Sequence, residues 1–534
     1  MSGGTKVGRN DTTKREACVI GSESDGSHEP ILAATRTRLS VSEMSSEETV
    51  PVIVGVGQVL NRDDTTFPSP VDLAIRASQQ AATDCGNESV LGLVDTIAAV
   101  PIVSWRYQDA GRLITQALGA LPRYTMYPHV GGNTPQMLVN MMCQRIMSGE
   151  TTLGLVVGAE SYRSRMRARR NDVTLTWAKQ PPEIVPDWTD ATEFELAHPC
   201  ELAQGVMMPT QIYPLFENAL CHQAGRSSQQ HRRFLGELWH GFSEVASRNP
   251  FAWDQQVHSA DDIADITHDN RLVGFPYTKR MVSNPDVDMA SALIVCSAAQ
   301  ARRLGIDPDR WVYVHSGADA NDPYVSTRPS FTESAAIRFA GGAAVELAGT
   351  SIDEIAHLDV YSCFPSAVQI ACQELHIDVT RQLTVSGGLC FAGGPWNNPV
   401  GHAIASMVQV CRTHPNDLGL VTANGGNIQK HSFGVYGSAP PPHGFRYSHP
   451  QFSVDTEQAV EVLDHYVGPA TLETWTVMHE RDGSTGRAHG VVRTADRHRV
   501  WWTSSDPAIA EALESEDLIG TPVAITEDAQ LRLA

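Results

Sequence analysis

The chain has 534 residues, enough for two or three domains, and its hydrophobic (42%) and aromatic (7%) contents are ordinary for a protein with a large core. Its net charge of −21 argues against nucleic acid or an anionic membrane as a partner of the whole surface, while leaving room for a local basic pocket. Ten cysteines without metal-ligand spacing predict reduced thiols, a cytoplasmic location and no bound metal. No apolar run approaches the ~18–20 residues that cross a bilayer, and we expect no secretory leader.

The first third of the chain alternates between strand and helix patterns. Residues 1–48 are polar and rich in Ser, Thr and Gly, which predicts a disordered tail. A buried strand at 50–57 is followed by helical periodicity over 72–84, which ends at a Cys85-Gly86 pair suited to a C-cap. Residues 94–100 form the next strand. This β-α-β order predicts a mainly parallel sheet under helices.

The most informative segment of the sequence, 131–161, begins with the glycine pair Gly131-Gly132. Thr134 is expected to cap a buried helix that Gly149 closes, with Pro135 in its first turn. The apolar run at 153–157 is then a buried strand that ends in Gly158-Ala-Glu-Ser161.

Residues 163–280 have weaker periodicity and many Trp, Pro and His, which predicts a large inserted region with amphipathic helices such as 230–245. Five arginines open it: Arg163, Arg165, Arg167, Arg169 and Arg170. Such a cluster suits phosphate groups, although a solvated basic turn is an equal alternative.

The β-α-β pattern returns over 281–437, with strands at 281–295 and 353–361 and a helix at 331–349. After a Pro/His/Ser-rich connector at 438–455, short strands alternate around an Arg481-Asp-Gly hairpin signal. We predict a small β-barrel over 456–534, a structural buttress rather than a nucleic-acid-binding module, because its acidic residues offset its arginines.

The glycine turn, buried helix and strand around 129–162 resemble the nucleophile helix of the thiolase superfamily, sterol-carrier-type branch. The appended barrel is similar to that of type 1 thiolase-like proteins. The resemblance implies an α/β thiolase fold with two β-α-β-α-β-α-β-β halves in five αβαβα layers. The halves would span 49–280, with a loop domain inserted at 163–280, and 281–440, followed by an oligonucleotide/oligosaccharide-binding (OB)-like barrel.

The reactive groups of that family are replaced in this sequence. The catalytic cysteine falls at Gly132, within one or two residues, and the second catalytic cysteine at Asn424. The Asn-Glu-Ala-Phe loop reads Tyr361-Ser-Cys-Phe364, and the Gly-His-Pro loop has Gly394 for histidine, with His402 after an insertion. The resemblance therefore implies two groups of site residues. The catalytic candidates are Tyr361, His402, His431 and Asn424, and the backbone oxyanion donors are Gly132, Gly426 and Gly394.

The resemblance also implies coenzyme A as substrate or ligand, with no other cofactor, and a set of residues that would grip it. These are Arg163, Arg165, Arg167, Ser283 and Asn284. Each catalytic candidate has a plainer alternative: Tyr361 as a core tyrosine, His402 as an ordinary helix residue and His431 as a surface or capping residue. Cys363 and Cys390 are expected to be inert buried thiols on apolar strands.

The sequence is compatible with three functions. The first is an acetyl-CoA acetyltransferase-like protein that binds acyl-CoA with little or no thiolytic turnover. The second is a retro-aldol lyase that cleaves β-hydroxyacyl-CoA with Tyr361, and the third is a non-enzymatic acyl-CoA or lipid carrier. We expect a monomer or a homodimer without a nucleic-acid partner or a membrane span.

Overall fold

The computed structural model describes residues 49–190 and 197–533, so the tail predicted at 1–48 lies outside the described residues. The strands are β1 Pro51–Leu60, β2 Thr96–Ala99, β3 Tyr124–Met126, β4 Leu153–Ser161, β5 Leu272–Gly274, β6 Tyr277–Thr278, β7 Asp288–Ser297, β8 Val312–Asn321, β9 Ile355–Asp359, β10 Leu418–Gly425, β11 Lys430–Gly437, β12 Arg446–Ser448, β13 Gly468–His479, β14 Thr485–Arg493, β15 Arg499–Ser504, β16 Pro522–Ile525 and β17 Leu531–Leu533. The helices are α1 Pro70–Asp84, α2 Ala110–Ala117, α3 Thr134–Met147, α4 Tyr162–Arg170, α5 Pro199–Ala203, α6 Pro209–Gln223, α7 Ser228–Arg248, α8 Ala260–Ala264, α9 Ala298–Arg303, α10 Gly342–Leu347, α11 Pro365–Glu374, α12 Pro399–Thr413, α13 Gln451–Asp455 and α14 Pro507–Ser515. None of these described helices combines the length and the apolarity that crossing a bilayer requires.

The larger sheet consists of two halves whose strand orders match, except that edge strand β3 of the first half has no counterpart among the described strands of the second. The first half has the order β3-β2-β4-β7-β1 and the second β8-β11-β10-β9. In each half the first strand lies beside the last strand of that half, at the edge where the halves meet. There β1 and β8 pair antiparallel through Val52 with Tyr313 and Ile53 with Val312.

The boundary between the halves differs from the one we expected at residue 281. Strand β7 pairs with β4 on one side and with β1 on the other, so it completes the first half, and the division falls after Ser297. Periodicity identifies 288–297 as a buried strand, but it carries no information about which strands will be its neighbours.

Two central helices separate the two half-sheets. Helices α3 and α12 each contact strands of both halves, whereas α1 covers the outer face of the first half and α10 that of the second. This arrangement confirms the five-layer α/β fold. Leu138, Val139 and Met142 of α3 are fully buried, as expected for a helix covered on both sides. The N-cap of α3 is Asn133 rather than Thr134, which is the first helical residue.

The C-terminal region is an antiparallel sheet in the order β15-β14-β13-β16-β17, with helix α14 packed against β13 and β14, which confirms a C-terminal β-sheet domain. The predicted hairpin joins β13 and β14, and Gly483 in its turn has a φ of 85°. Strand β5 of the inserted region extends this sheet through the pairing of Gly274 with Met478. The OB-like shape stays a prediction.

Candidate active site

The turn before α3 has no space for a side chain at Gly132. A Cβ on this residue would overlap the hydroxyl oxygen of Tyr361 and would lie 2.5 Å from the carbonyl oxygen of Asn424. Tyr361 follows β9, and its backbone N–H donates to Thr422 Oγ1 at 2.9 Å. The tyrosine hydroxyl therefore occupies the space in which a catalytic thiol at this position would begin.

Asn424, near the end of β10, contacts a residue that the sequence analysis missed. Its Nδ2 donates to Tyr213 Oη at 3.2 Å, and Tyr213 Oη donates to the carbonyl oxygen of Gly426 at 3.1 Å. Asn424 Oδ1 is buried and has no hydrogen-bond partner among the described residues. Tyr213 lies on α6 in the inserted region, and a single tyrosine in a largely buried helix gives no sequence signal of its role.

Cys363 lies in the loop after β9, not on an apolar strand, and belongs to the same cluster. Its Sγ is 4.0 Å from Asn424 Nδ2. The expected position of Cys363 on an apolar strand is therefore wrong, whereas its expected burial is confirmed. Burial raises the pKa of Cys363 to about 12, so the thiol stays protonated near neutral pH and is a poor nucleophile.

The two tyrosines of the cluster also stay protonated. Burial raises the pKa of Tyr361 and of Tyr213 well above the ordinary value of 10.0. Near neutral pH these phenols can donate hydrogen bonds but cannot act as strong bases. The cluster is therefore suited to holding a carbonyl oxygen rather than to removing a proton.

His402 lies in the first turn of α12 and is buried. Its Nδ1 is 2.8 Å from Gln58 Oε1 on β1, and its Nε2 has no partner among the described residues. Burial lowers the pKa of His402 to about 3, so the imidazole is neutral. With Tyr361, Gln58 and Met289 it lines a cavity that has room for about one water molecule.

His431 is a buried residue rather than a surface residue. It lies on β11, directly opposite Asn424 in the strand pair, and its side chain is buried. Its Nε2 is 3.5 Å from Asp322 Oδ2, and the same carboxylate oxygen accepts from Arg328 at 3.1 Å. The structure therefore places His431 beside the buried ion pair of Asp322 and Arg328.

Gly394 cannot supply the predicted oxyanion donor, because its N–H already donates to the carbonyl oxygen of Asn284 at 2.9 Å. Nearby, Asn397 Oδ1 accepts from the N–H of Gly131 at 3.0 Å, and Asn397 Nδ2 donates to the Pro101 carbonyl oxygen at 3.0 Å. The insertion that follows Gly394 thus braces the turn before α3. Hydrogen bonds from the backbone N–H groups of Gly132 and Gly426 to an oxyanion stay a prediction.

The arginines of α4 do not form one cluster. Arg163 pairs with Asp64 at 2.9 Å, and Arg167 is buried against the same loop, with Asp64 at 3.2 Å and the Thr66 carbonyl oxygen at 2.9 Å. Residues four apart lie on the same face of a helix, as Arg163 and Arg167 do. Arg165 lies two residues from both, so it is on a different face of α4, where it is exposed. Of the three arginines only Arg165 keeps the exposure that binding a phosphate requires.

Ser283 and Asn284 connect the loops around the cluster. The N–H of Ser283 donates to the Cys363 carbonyl oxygen, and that of Asn284 to the Leu389 carbonyl oxygen, each at 3.1 Å. Both residues are half-buried. They hold the Tyr361 loop against the 388–394 loop, and contact with coenzyme A stays a prediction.

Residues 450–530 match the family described as the thiolase-like protein type 1 additional C-terminal domain. A monomeric SCP2-thiolase like protein type 1 from Mycobacterium smegmatis aligns in structure with a TM-score of 0.78 and 28% identity, over 91% of this chain and 99% of that one. The chain belongs to the thiolase-like superfamily.

More distant structures share the fold of this thiolase-like chain. The Ltp2–ChsH2(DUF35) aldolase has a TM-score of 0.55 at 18% identity, and covers 73% of this chain and 98% of its own. A thiolase from Ascaris suum in complex with coenzyme A has a TM-score of 0.53 at 16% identity, over 73% and 99%. No curated protein matches the chain.

Proposed function

We propose that this thiolase-like protein binds an acyl-CoA thioester at Gly132 and does not form an acyl-enzyme. The observation that carries the proposal is the Tyr361 hydroxyl, which fills the space beside Gly132 where a nucleophilic side chain would have to start. Asn424 offers an amide in place of a base, and the Cys363 thiol is held protonated by burial. Neither residue can replace the missing nucleophile.

The cluster still suits the carbonyl group of a thioester. Tyr361 is a protonated phenol in a buried site, where a hydrogen bond to a developing oxyanion is much stronger than in water. The choice of an acyl-CoA ligand is supported by the thiolase-like relative and by the coenzyme A that the Ascaris suum enzyme binds. This part of the proposal rests on analogy of fold.

Calorimetry and intact-protein mass spectrometry test the proposal together. We expect acetyl-CoA to bind without any mass increase by an acetyl group after long incubation. Arg165→Gln should weaken binding by removing an exposed cation, whereas the matched change Arg170→Gln on the same helix should not. An acetylated protein, or the absence of binding at millimolar acetyl-CoA, would contradict the proposal.

A second candidate is retro-aldol cleavage of a β-hydroxyacyl thioester, favoured by a donor and a neutral imidazole in one cavity. Tyr361 and His402 both line this cavity. Transfer of the β-hydroxyl proton to His402 Nε2 would break the Cα–Cβ bond and release an aldehyde and a thioester enolate, and the enolate would then take the same proton from Nε2 at Cα. Tyr361 would donate to the enolate oxygen.

Release of an aldehyde from 3-hydroxyacyl-CoA measures this second activity. We expect Tyr361→Phe to lower the rate by about 10²-fold or more, as for other oxyanion donors, while acyl-CoA binding persists. Full cleavage by the Tyr361→Phe variant would eliminate this candidate.

A further inference from the structure

Gln58 is a polar side chain on the otherwise apolar strand β1, and it is buried. Its Oε1 lies 2.8 Å from His402 Nδ1, while its Nε2 donates to Ser406 Oγ at 3.5 Å, one turn further along α12. An amide oxygen only accepts hydrogen bonds, so the His402 nitrogen that faces it must carry the proton. In a neutral imidazole the other nitrogen, Nε2, is then a bare acceptor.

His402 lines the cavity beside Tyr361, and its Nε2 is buried without a partner among the described residues. Two other polar groups that line the cavity have partners. Asn249 Nδ2 donates to the Ser386 carbonyl oxygen at 2.8 Å, and Asp359 Oδ2 accepts from the backbone N–H of Ser386 at 3.0 Å. His402 Nε2 is therefore the buried acceptor that a ligand can satisfy.

We propose that Gln58 fixes the proton of His402 on Nδ1, so that the cavity selects an oxygen that donates a hydrogen bond. In a β-oxygenated thioester held at Gly132, the β-oxygen is three bonds from the carbonyl carbon, and Tyr361, which borders Gly132, also lines the cavity that contains His402. A β-hydroxyl group can donate to Nε2, whereas a β-keto oxygen would place two acceptors face to face. The site therefore takes β-hydroxyacyl thioesters in preference to β-ketoacyl thioesters.

The tautomer is measured on the free protein by nitrogen NMR of ¹⁵N-histidine-labelled chain, with His402→Gln to assign the signal. We expect a protonated Nδ1 and an unprotonated Nε2, and a shift toward the other tautomer in Gln58→Leu. A proton on Nε2 in the wild-type chain would overturn the inference without reference to any ligand.

The selectivity rests on the proposed function and is measured by calorimetry with 3-hydroxybutyryl-CoA and acetoacetyl-CoA. We expect the wild-type chain to prefer the hydroxy compound by about tenfold or more, and Gln58→Leu to lose most of that preference. Gln409→Leu, the same change at an exposed position of α12, should keep it. His402→Gln should also lose the preference. This second variant tests the inference if Gln58→Leu does not fold.

The possible failures separate the two proposals. Equal binding of both compounds by the wild-type chain would overturn the selectivity and leave acyl-CoA binding intact. Binding of neither compound would overturn both, and a protonated Nδ1 would then show that only the tautomer had been assigned correctly.

Discussion

The contact between Gly132 and Tyr361 decides what this residue position can hold. A methyl group on Gly132 would meet both the Tyr361 hydroxyl and a backbone carbonyl oxygen, which has no rotamer to change. Since a packed interior relaxes only partly around added atoms, the extra carbon must displace the turn or the tyrosine.

Gly132→Ala should lower the free energy of unfolding by about 1–3 kcal/mol through overpacking. Gly241→Ala in α7 is the matched control, because its Cβ would enter open space and should leave stability unchanged or raised. Urea denaturation of both variants measures the difference. Equal free energies of unfolding for Gly132→Ala and Gly241→Ala would show that the turn accommodates the added methyl group without cost.

The burial of His402 makes stability depend on pH. Its folded pKa of about 3 lies below the ordinary 6.5, so the unfolded chain binds a proton first as the pH falls. Stability from this group is fully present above pH 6.5 and is lost progressively between pH 6.5 and about 3.

Replacing this histidine should remove that loss. We compare the free energy of unfolding of His402→Gln with that of the wild-type chain at two pH values. This difference should favour the variant by about 2–3 kcal/mol more at about pH 4.5 than at about pH 7.5. Urea denaturation at the two pH values measures this, and the other buried histidines cancel because both chains keep them. A difference that does not change with pH would contradict the assignment.

At the scale of elements, the C-terminal sheet holds the helix that carries Tyr213. Thr474 Oγ1 donates to the Leu215 carbonyl oxygen at 2.6 Å, Asn218 Nδ2 donates to the Trp475 carbonyl oxygen at 2.7 Å, and His489 Nε2 lies 2.8 Å from the Gln211 carbonyl oxygen. These contacts flank Tyr213 on α6. The sheet therefore sets the position from which the tyrosine reaches Asn424.

Thr474→Val should loosen α6 while preserving the shape of the buried side chain. We expect a stability loss of about 1 kcal/mol and faster amide exchange in α6 than in α3. Thr471→Val, at an exposed position of the same strand, is the control. Unchanged exchange in α6 would mean that the sheet does not hold the helix.

The elements themselves were predictable where a local pattern defines them. Helix α1 and the hairpin at Gly483 follow from periodicity and turn chemistry, and both were confirmed. The partners of β7 were not predictable, because they depend on long-range pairing. It was also not predictable that Arg163 and Arg167 would pair with Asp64, because this depends on which face of the helix meets a loop. Gln58 gave no signal for a related reason: one polar residue in an apolar strand shows its purpose only when its partner is known.

At the scale of the whole molecule, one buried arginine joins the C-terminal sheet to the second half. The Arg499 guanidinium donates to the carbonyl oxygens of Val325, Ser326 and Arg328, at 3.1, 2.7 and 2.9 Å. It also pairs with Glu473 at 2.6 Å. Because it is fully buried, these bonds replace its hydration, and the two units depend on each other through it.

Arg499→Met should cost about 3–5 kcal/mol, since it leaves the carbonyl oxygens and part of the Glu473 charge unpaired. Differential scanning calorimetry should then resolve separate melting of the C-terminal sheet. Arg532→Met, exposed on β17, should melt like the wild-type chain. A single unshifted transition in the Arg499 variant would refute this linkage.

The overlap of three residues around the turn before α3 also restricts how this protein can evolve. A cysteine at 132 needs Tyr361 to be replaced by a smaller residue, and it remains without an acid/base partner unless Asn424 changes as well. No one of these steps yields a working acyltransferase, and the first disrupts the existing turn. A selection for thiolysis applied to a library of single substitutions should therefore return no active clone.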